Sequence, residues 1–510
     1  MSPVFCLAKI RRRPWATLLA SAALFPAISG CNPDELVREG TRPTSATDSV
    51  TVDSTDTTRS VAPVLAVASS STTIYPGYDI QLTVNKYPAG TAFILKAGVH
   101  RMQSVVPKDG NTFTGEAGTV LSGARLLTSF TRSGSYWVAS GQTQQGIRRS
   151  IQCQPGISLC NYPEDLFIND VMLQPVTTLS QVAPGKWYFD YGADKIYFAD
   201  DPTGKRVETS VTAHAFSGSA QRVVVRNLTI EKYATPSTDG AVGGDNTGYW
   251  QVTDNQIRWN HGGGVRTGKQ MQILRNYIHH QGQLGIIGYK SDSVLIDSNE
   301  IAYNNTAGYY PFWEAGGSKM TAATHLTVRN NRVHHNKGKG LWTDENSIYV
   351  LIEGNTCTDN DHQGISHEVS YDAVIRNNTV ERNGFLNSGG VAGGGITLNS
   401  SANVEIYGNN VNYNADGIGA YQQPRGSGTY GPHEIKNLYV HDNIVRMSSG
   451  NTGLTQSVND NSYYTSRNNR FVHNTYYMGS TNMRFWWMNA ARSDAQWKSY
   501  GEDKTGIFSY

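Results

Sequence analysis

The sequence predicts an all-β protein, a right-handed parallel β-helix with a small β-subdomain inserted near its N-terminus, and three observations predict it. First, one phrase recurs: aliphatic, x, x, Asn, x, aliphatic. Its copies are Val252–Asn255–Ile257, Ile273–Asn276–Ile278, Ile296–Asn299–Ile301, Val328–Asn331–Val333, Ile352–Asn355–Cys357, Ile375–Asn378–Val380, Ile406–Asn409–Val411 and Val440–Asn443–Val445. Second, the asparagines return at intervals of 21 to 34 residues, a solenoid unit lengthened in places by loops. Third, no helical apolar stripe accompanies them, so a unit can bury its aliphatics only by stacking on copies of itself. Stacking sets the coils ~4.8 Å apart, turns equivalent residues into columns, and lets buried asparagines satisfy one another's amides.

With 510 residues, 52 glycines and 16% charged residues, the chain suits one long β-rich body. Residues 1–30 read as a signal peptide, with a basic start at Lys9 to Arg13 and an apolar run from Trp15 to Phe25 that is too short to remain as a membrane span. Its end, Ile28-Ser29-Gly30-Cys31, resembles a bacterial lipobox. That resemblance implies lipidation of Cys31 and a protein exported and lipid-anchored to a bacterial membrane, on its periplasmic or cell-surface side. Residues 31–72, rich in Ser, Thr and Asp, have too few large apolar residues for a core and read as a tether.

Residues 73–130 read as an N-terminal cap and first coils, with Ile80-Gln81-Leu82-Thr83-Val84 as a short strand. In residues 131–215 the Asn phrase is absent and aromatics such as Trp137, Phe167, Trp187 and Phe198 concentrate, which marks the inserted β-subdomain. An exported compartment permits a disulfide between its Cys153 and Cys160; two free thiols are the alternative. The β-helix proper spans 216–480, with Leu228 in the ladder place near its start and Cys357 at a core position. Residues 481–510, with Phe485, Trp486, Trp487 and Trp497, form a C-terminal cap over the open end.

Several features carry no chemistry. The glycine runs 262–264 and 393–395 open no helix and read as tight turns. The pairs His279/His280 and His334/His335 are a coil apart and read as solvated turn histidines, so no metal and no cofactor is expected. The formal net charge is +2, and without the leader 39 basic residues stand against 41 acidic ones, which gives no reason to expect nucleic acid as a partner.

The candidate chemistry appears by following one strand up the stack. Gly317–Thr321, Gly340–Asp344, Gly364–Glu368 and Gly395–Asn399 align, and alternation along a strand then gives two outward columns. One reads Lys319, Trp342, Ser366, Thr397. The other reads Thr321, Asp344, Glu368, Asn399, with Tyr289 and Tyr421 at its ends. Asp344 and Glu368 each stand thirteen residues after a ladder asparagine, so their carboxyl groups lie about 5 Å apart, the spacing of a retaining glycosidase. Like charges opposed on neighbouring strands destabilise a sheet, so chemistry explains the pair better than stability does. Trp342 offers a face for a sugar ring, and the loop bearing Tyr309, Tyr310, Phe312, Trp313 and Glu314 supplies further contacts. Lys319 should keep Asp344 ionised, and that charge should raise the pKa of Glu368.

Three stretches, Trp313 to Lys319, Gly340 to Ser347 (GLWTDENS) and His367 to Asn378 (HEVSYDAVIRNN), resemble bacterial right-handed parallel β-helix repeat proteins, and the likeness runs from roughly Ile80 to the C-terminus. The arrangement also resembles β-helix glycoside hydrolases of the β-xylosidase type, in which an Asp and a Glu on successive coils act as nucleophile and acid/base. The resemblance implies those roles for Asp344 and Glu368. Around them Lys319, Trp342, Glu314, Trp313, His367, Asn399, Tyr421 and Tyr289 are the candidate substrate contacts, with an oligo- or polysaccharide as partner. One alternative is a polysaccharide lyase or uronate epimerase, with Lys319 or a Tyr as base; it ranks second because the columns offer only Lys319 as a cation, with Arg425 on a loop nearby. The other is a non-catalytic glycan-binding surface protein.

Overall fold

The computed structural model describes residues 71–387, 389–447 and 449–510; the signal peptide, Cys31 and nearly all of the tether lie outside the described residues. The chain winds through three long sheets. The first has 13 strands, from Ser71–Ile74 to Arg470–Val472; the second also has 13, from Gly98–Arg101 to Ile507–Ser509. The third has 11, from Gly240–Gly243 to Ala490–Arg492, and carries the candidate site. Successive coils pair in parallel register, so that Val252, Ile273, Ile296, Val328, Ile352, Ile375, Ile406 and Val440 form one buried interior column.

Between the first and second sheets the chain turns on a residue of positive φ followed by the buried asparagine. Arg275, Ser298, Asn330, Gly354, Asn377, Gly408 and Asp442 hold that turn position. The backbone N–H and the side-chain amide of each ladder asparagine donate to the Oδ1 of the next, at 2.9 to 3.0 Å, from Asn255 through Asn276, Asn299, Asn331, Asn355, Asn378, Asn409, Asn443 and Asn474 to Asp503. A second ladder runs beside it. Asn260, Gln281, Asn304, Asn336, Asn360, Asn383 and Asn414 link in the same way at the next bend, except that Gln281 reaches Asn304 through its backbone N–H alone and its amide donates to Ile257 O and His279 O.

Two expectations need correction. Ile80–Lys86 is an α-helix, not a strand: the Asp79 carboxylate caps it by accepting from Leu82 N–H at 2.8 Å, and Ile80 and Val84, one turn apart, are buried while Leu82 faces solvent. Of the four turn histidines expected to be solvated, His335 is exposed and His280 partly so, but the other two are not. His279 and His334 are buried; His279 stacks on Tyr277 at 3.8 Å and burial pushes its pKa down to about 3, while His334 meets Glu300 at 3.0 Å. Their neighbours His280 and His335 sandwich Tyr303, each at 5.0 Å.

The insert consists of two small sheets, one holding Ala124–Leu127, Leu166–Ile168, Val171–Met172 and Val207–Ser210, the other centred on Tyr136–Ser140, Lys186–Asp190 and Lys195–Phe198. Its own core contains Leu166, Trp187, Ile196, Phe198 and Val207. Lys232, from the first regular coil, is buried against it and reaches Asp170 and Glu208, both at 2.5 Å. Cys153 and Cys160 form a disulfide, Cα–Cα 5.6 Å, and this loop braces the 305–315 loop of the helix. Gln154 N–H donates to Gly308 O at 2.9 Å, Tyr310 N–H to Gln152 O at 3.0 Å, and Tyr309 packs on Cys160. At the far end Phe485 stacks on Trp497 at 4.9 Å, and Trp497 Nε1 and Tyr476 Oη both donate to Asp503, where the ladder stops.

Asn355→Ala should cost about 3 kcal/mol or more, because it leaves the Asn331 backbone N–H without an acceptor inside the core and removes the amide that donates to Val328 O and Asn378 Oδ1, whereas Asn330→Gly should change stability by less than about 1 kcal/mol, since Gly354 and Gly408 occupy its position on other coils. Thermal or denaturant unfolding of the two variants checks this; equal losses would mean that the ladder bonds contribute little.

The end of the stack makes a pH prediction. Burial pushes Glu502 up to about 8, from 4.5, although its carboxylate accepts from Phe471 N–H. A raised folded pKa means that the stabilising form is the protonated one, fully present below about pH 4.5 and lost as pH rises through 8. Glu502→Gln keeps the acceptor and cannot ionise, so it should match the parent near pH 4 and exceed it above pH 8 by on the order of 1–3 kcal/mol. A stability difference independent of pH would overturn this.

Candidate active site

The third sheet brings the two outward columns together in the expected register. Thr321 pairs with Asp344, Trp342 with Ser366, Ser366 with Thr397, Glu368 with Asn399 and Asn399 with Tyr421, while Tyr289 pairs with Thr321 at the other end. Asp344 and Glu368 therefore project from the same face one coil apart, ~4.8 Å along the axis. Both are largely covered, at 6% and 9% exposure, because the 305–315, 384–392 and 423–433 loops rise around this face.

Each carboxylate has its own lysine. Lys319 Nζ lies 3.0 Å from Asp344 Oδ2, 2.7 Å from Trp313 O, to which it donates, and 3.9 Å from Glu314 Oε1. Lys339 Nζ donates to Glu368 Oε2 at 2.8 Å; Arg425 and Asn399 donate to Glu368 Oε1 at 3.3 and 3.0 Å. Arg425 is delivered by a hairpin, Ser427–Gly428 against Gly431–Pro432, which Tyr371 Oη and the Asn346 carboxamide hold down. Sequence reading missed Lys339, which stands in the turn just before the Gly340 strand and sends its long side chain back over the sheet.

That omission overturns one expectation. Burial does favour a neutral Glu368, but Lys339, then Arg425 and Lys319, outweigh it and hold its carboxyl below the ordinary glutamate range. The carboxyl with a raised pKa is Glu314, where burial exceeds the opposing pull of Lys319 and Arg266. Burial also depresses the ammonium of Lys339 against the pull of Glu368, and pushes the Tyr421 phenol up.

Two of the substrate contacts inferred from sequence do not face substrate. Trp342 points outward as expected but is only 2% exposed, its ring held between the ammonium groups of Lys339, 3.3 Å from the centroid, and Lys319, 4.0 Å away; it carries the lysines rather than offering a face to a sugar. His367 points into the helix, hydrogen-bonded to Thr343 Oγ1 and Tyr371 O at 2.7 Å each, and burial lowers its pKa to about 4. The rest stand at the cleft: Glu314 half-buried, Trp313 and Tyr289 exposed on its rim, Asn399 and Tyr421 beyond Glu368.

Two hollows flank the carboxylates. One, of about 270 Å³, is lined by Arg266, Tyr289, Glu314, Lys319 and Thr321; the other, of about 430 Å³, by Phe312, Lys339, Gln363, Glu368, Asn399 and Tyr421. A larger hollow of about 540 Å³ under the disulfide loop holds neither carboxylate. Among the described residues no group of three or more His, Cys, Asp or Glu is placed to hold a metal ion.

A family model described as "right handed beta helix region" matches residues 240–411. No curated protein sequence matches the chain. Among solved structures the chain is similar to XylC in complex with xylose, with TM-score 0.60 and 16% identity over 84% of this chain and 82% of that one. It is also similar to the A-module of the mannuronan C-5 epimerase AlgE6 of Azotobacter vinelandii, with TM-score 0.49 and 12% identity over 84% and 93%. At such identities the likeness is one of fold, and with the match to the right-handed β-helix model and the likeness to XylC the chain is a right-handed parallel β-helix.

Lys339→Met should let burial act on Glu368 against Arg425 and Lys319 alone, so that its carboxyl titrates at higher pH than in the parent. Infrared difference titration of the carboxylates reads this directly; an unmoved titration would show that Lys339 is not the controlling charge.

Proposed function

We propose that this right-handed parallel β-helix is an exported carbohydrate-active enzyme, a glycoside hydrolase that retains anomeric configuration. The observation that carries the reading is the pairing of Asp344 and Glu368 on adjacent coils at the bottom of a covered cleft, each with its own lysine and with a hollow on either side. Two buried acids one coil apart cost stability in any purely structural role and match the separation a double displacement needs. The leader and Cys31 fit an exported, lipid-tethered enzyme.

In this reading the Asp344 carboxylate attacks the anomeric carbon and forms the glycosyl ester while the glycosidic bond breaks. The leaving oxygen needs a proton, and Glu368 is ionised in the free protein. Lys339 supplies it: its ammonium, depressed by burial and 2.8 Å away, passes a proton to Glu368 as substrate excludes water, and Glu368 passes it to the leaving group. In the second step Glu368 takes a proton from the water that cleaves the ester and returns it to Lys339, which restores the carboxylate and the ammonium. The buried Lys339, as a candidate base, and the cations Lys319 and Arg425 favour a second reading, lysis or epimerisation of a uronate.

Asp344→Ala should abolish turnover of every glycoside the parent cleaves. Glu368→Ala should be milder on substrates with activated leaving groups, and azide should restore turnover by attacking the stalled glycosyl-enzyme. Proton NMR of the first product should find the substrate's anomeric configuration kept. An inverted product would end the retaining reading, and an unsaturated product absorbing in the near ultraviolet would promote the lyase.

A further inference from the structure

Beyond Glu368, away from Lys319, the hollow of about 430 Å³ has a different chemistry from its neighbour across the carboxylates. The smaller one is lined by Arg266, Glu314 and Lys319; this one is lined mainly by amides and glycines, with Phe312 on its rim and Tyr421 on its far wall. Among its described lining residues the one cation is Lys339, already bonded to Glu368, and Arg425 reaches Glu368 and Gln423 at its edge. Gln363 is the informative residue. It is 1% exposed, its amide nitrogen donates to Ala392 O at 2.7 Å, and its Oε1 is buried with no hydrogen-bond partner. In the adjoining column Ser366 Oγ and Thr397 Oγ1 are likewise buried without partners. A buried acceptor left unpaired costs stability unless something supplies it a donor, and the volume is that of a small-molecule site.

We infer that this hollow is a subsite for an uncharged sugar residue, whose hydroxyl donates to Gln363 Oε1 and whose apolar face lies against Phe312. Phe312 is 46% exposed and steadied edge-on by His362 at 4.5 Å, so its free face is open to stacking. A uronate would bring its carboxylate toward Gln363 Oε1 and Glu368, and the two cations there, Lys339 and Arg425, are both already engaged by Glu368, so the subsite selects against acidic sugars. With Glu368 as acid/base this hollow lies on the leaving-group side, a placement that rests on the glycosidase reading; the subsite itself does not.

Binding and cleavage separate the two. Isothermal titration of the Asp344→Asn protein, which keeps its substrate intact, would use xylobiose, cellobiose, lactose and digalacturonate as probes, alone and with Gln363→Leu or Phe312→Ala added. At least one neutral disaccharide should bind, about tenfold more weakly with Gln363→Leu and severalfold more weakly with Phe312→Ala, and digalacturonate should bind least. Phe312 is on the rim, so its variant guards against misfolding of the Gln363 variant. If this pattern holds while the parent cleaves none of the disaccharides, the subsite stands and the hydrolase reading falls. If no disaccharide binds, if both variants bind like the parent, or if digalacturonate is preferred, the subsite is overturned whatever the kinetics.

Discussion

Each ladder asparagine gives two hydrogen bonds to the coil that follows, and each after Asn255 accepts two from the coil before. A slip of one residue between neighbouring coils would break all of them and turn an aliphatic column outward. This constraint fixes more than the core. Asp344 and Glu368 face each other because Asn331 and Asn355 do, each thirteen residues upstream and bonded at 2.9 Å, so the geometry of the site is inherited from a bend on a different sheet.

The charges at the site come in combinations that a core would avoid. Two ammonium groups flank one indole ring and each pairs with a carboxylate, all four residues less than a tenth exposed. Paired ions of this kind seldom stabilise a fold more than apolar residues of the same shape would, so their presence is a statement about chemistry. The insert belongs to the same arrangement. Its disulfide loop carries no acid or base of the site, yet it holds the backbone of the loop from which Trp313 and Glu314 reach Lys319.

What could be read from the sequence is what the repeat counts. Distance from a ladder asparagine gives the column, and alternation gives the side, so the pairing of Asp344, Glu368, Asn399 and Tyr421 was legible without coordinates. The second ladder was equally legible and went unread: Asn260, Gln281, Asn304, Asn336, Asn360, Asn383 and Asn414 each lie five residues after a member of the first. Ile80, Leu82 and Val84 satisfy both an alternating strand and, through Ile80 and Val84, a helical turn; only Asp79 as a cap distinguishes them. Side chains outside the period were not legible. Lys339 leaves a turn, Arg425 leaves a hairpin, and neither the direction of a four-carbon stem nor the height of a loop follows from a register. Alternation also says that Trp342 points outward, but not that loops then cover it.

The ladder has a direction. Along it every backbone N–H and one hydrogen of every amide point toward the C-terminal end, the other amide hydrogen turning back to a carbonyl of the preceding coil, and the series closes on a carboxylate, Asp503, that accepts from Asn474, Tyr476 and Trp497 at once. A relative of this chain could gain or lose a complete turn in the middle and keep the same donors at one end and the same acceptor at the other, whereas a partial turn would leave the series mismatched. Length in such a molecule changes in whole steps, and the coils from Asn331 to Asn378, with the acids they carry, can move along the axis only as an unbroken block.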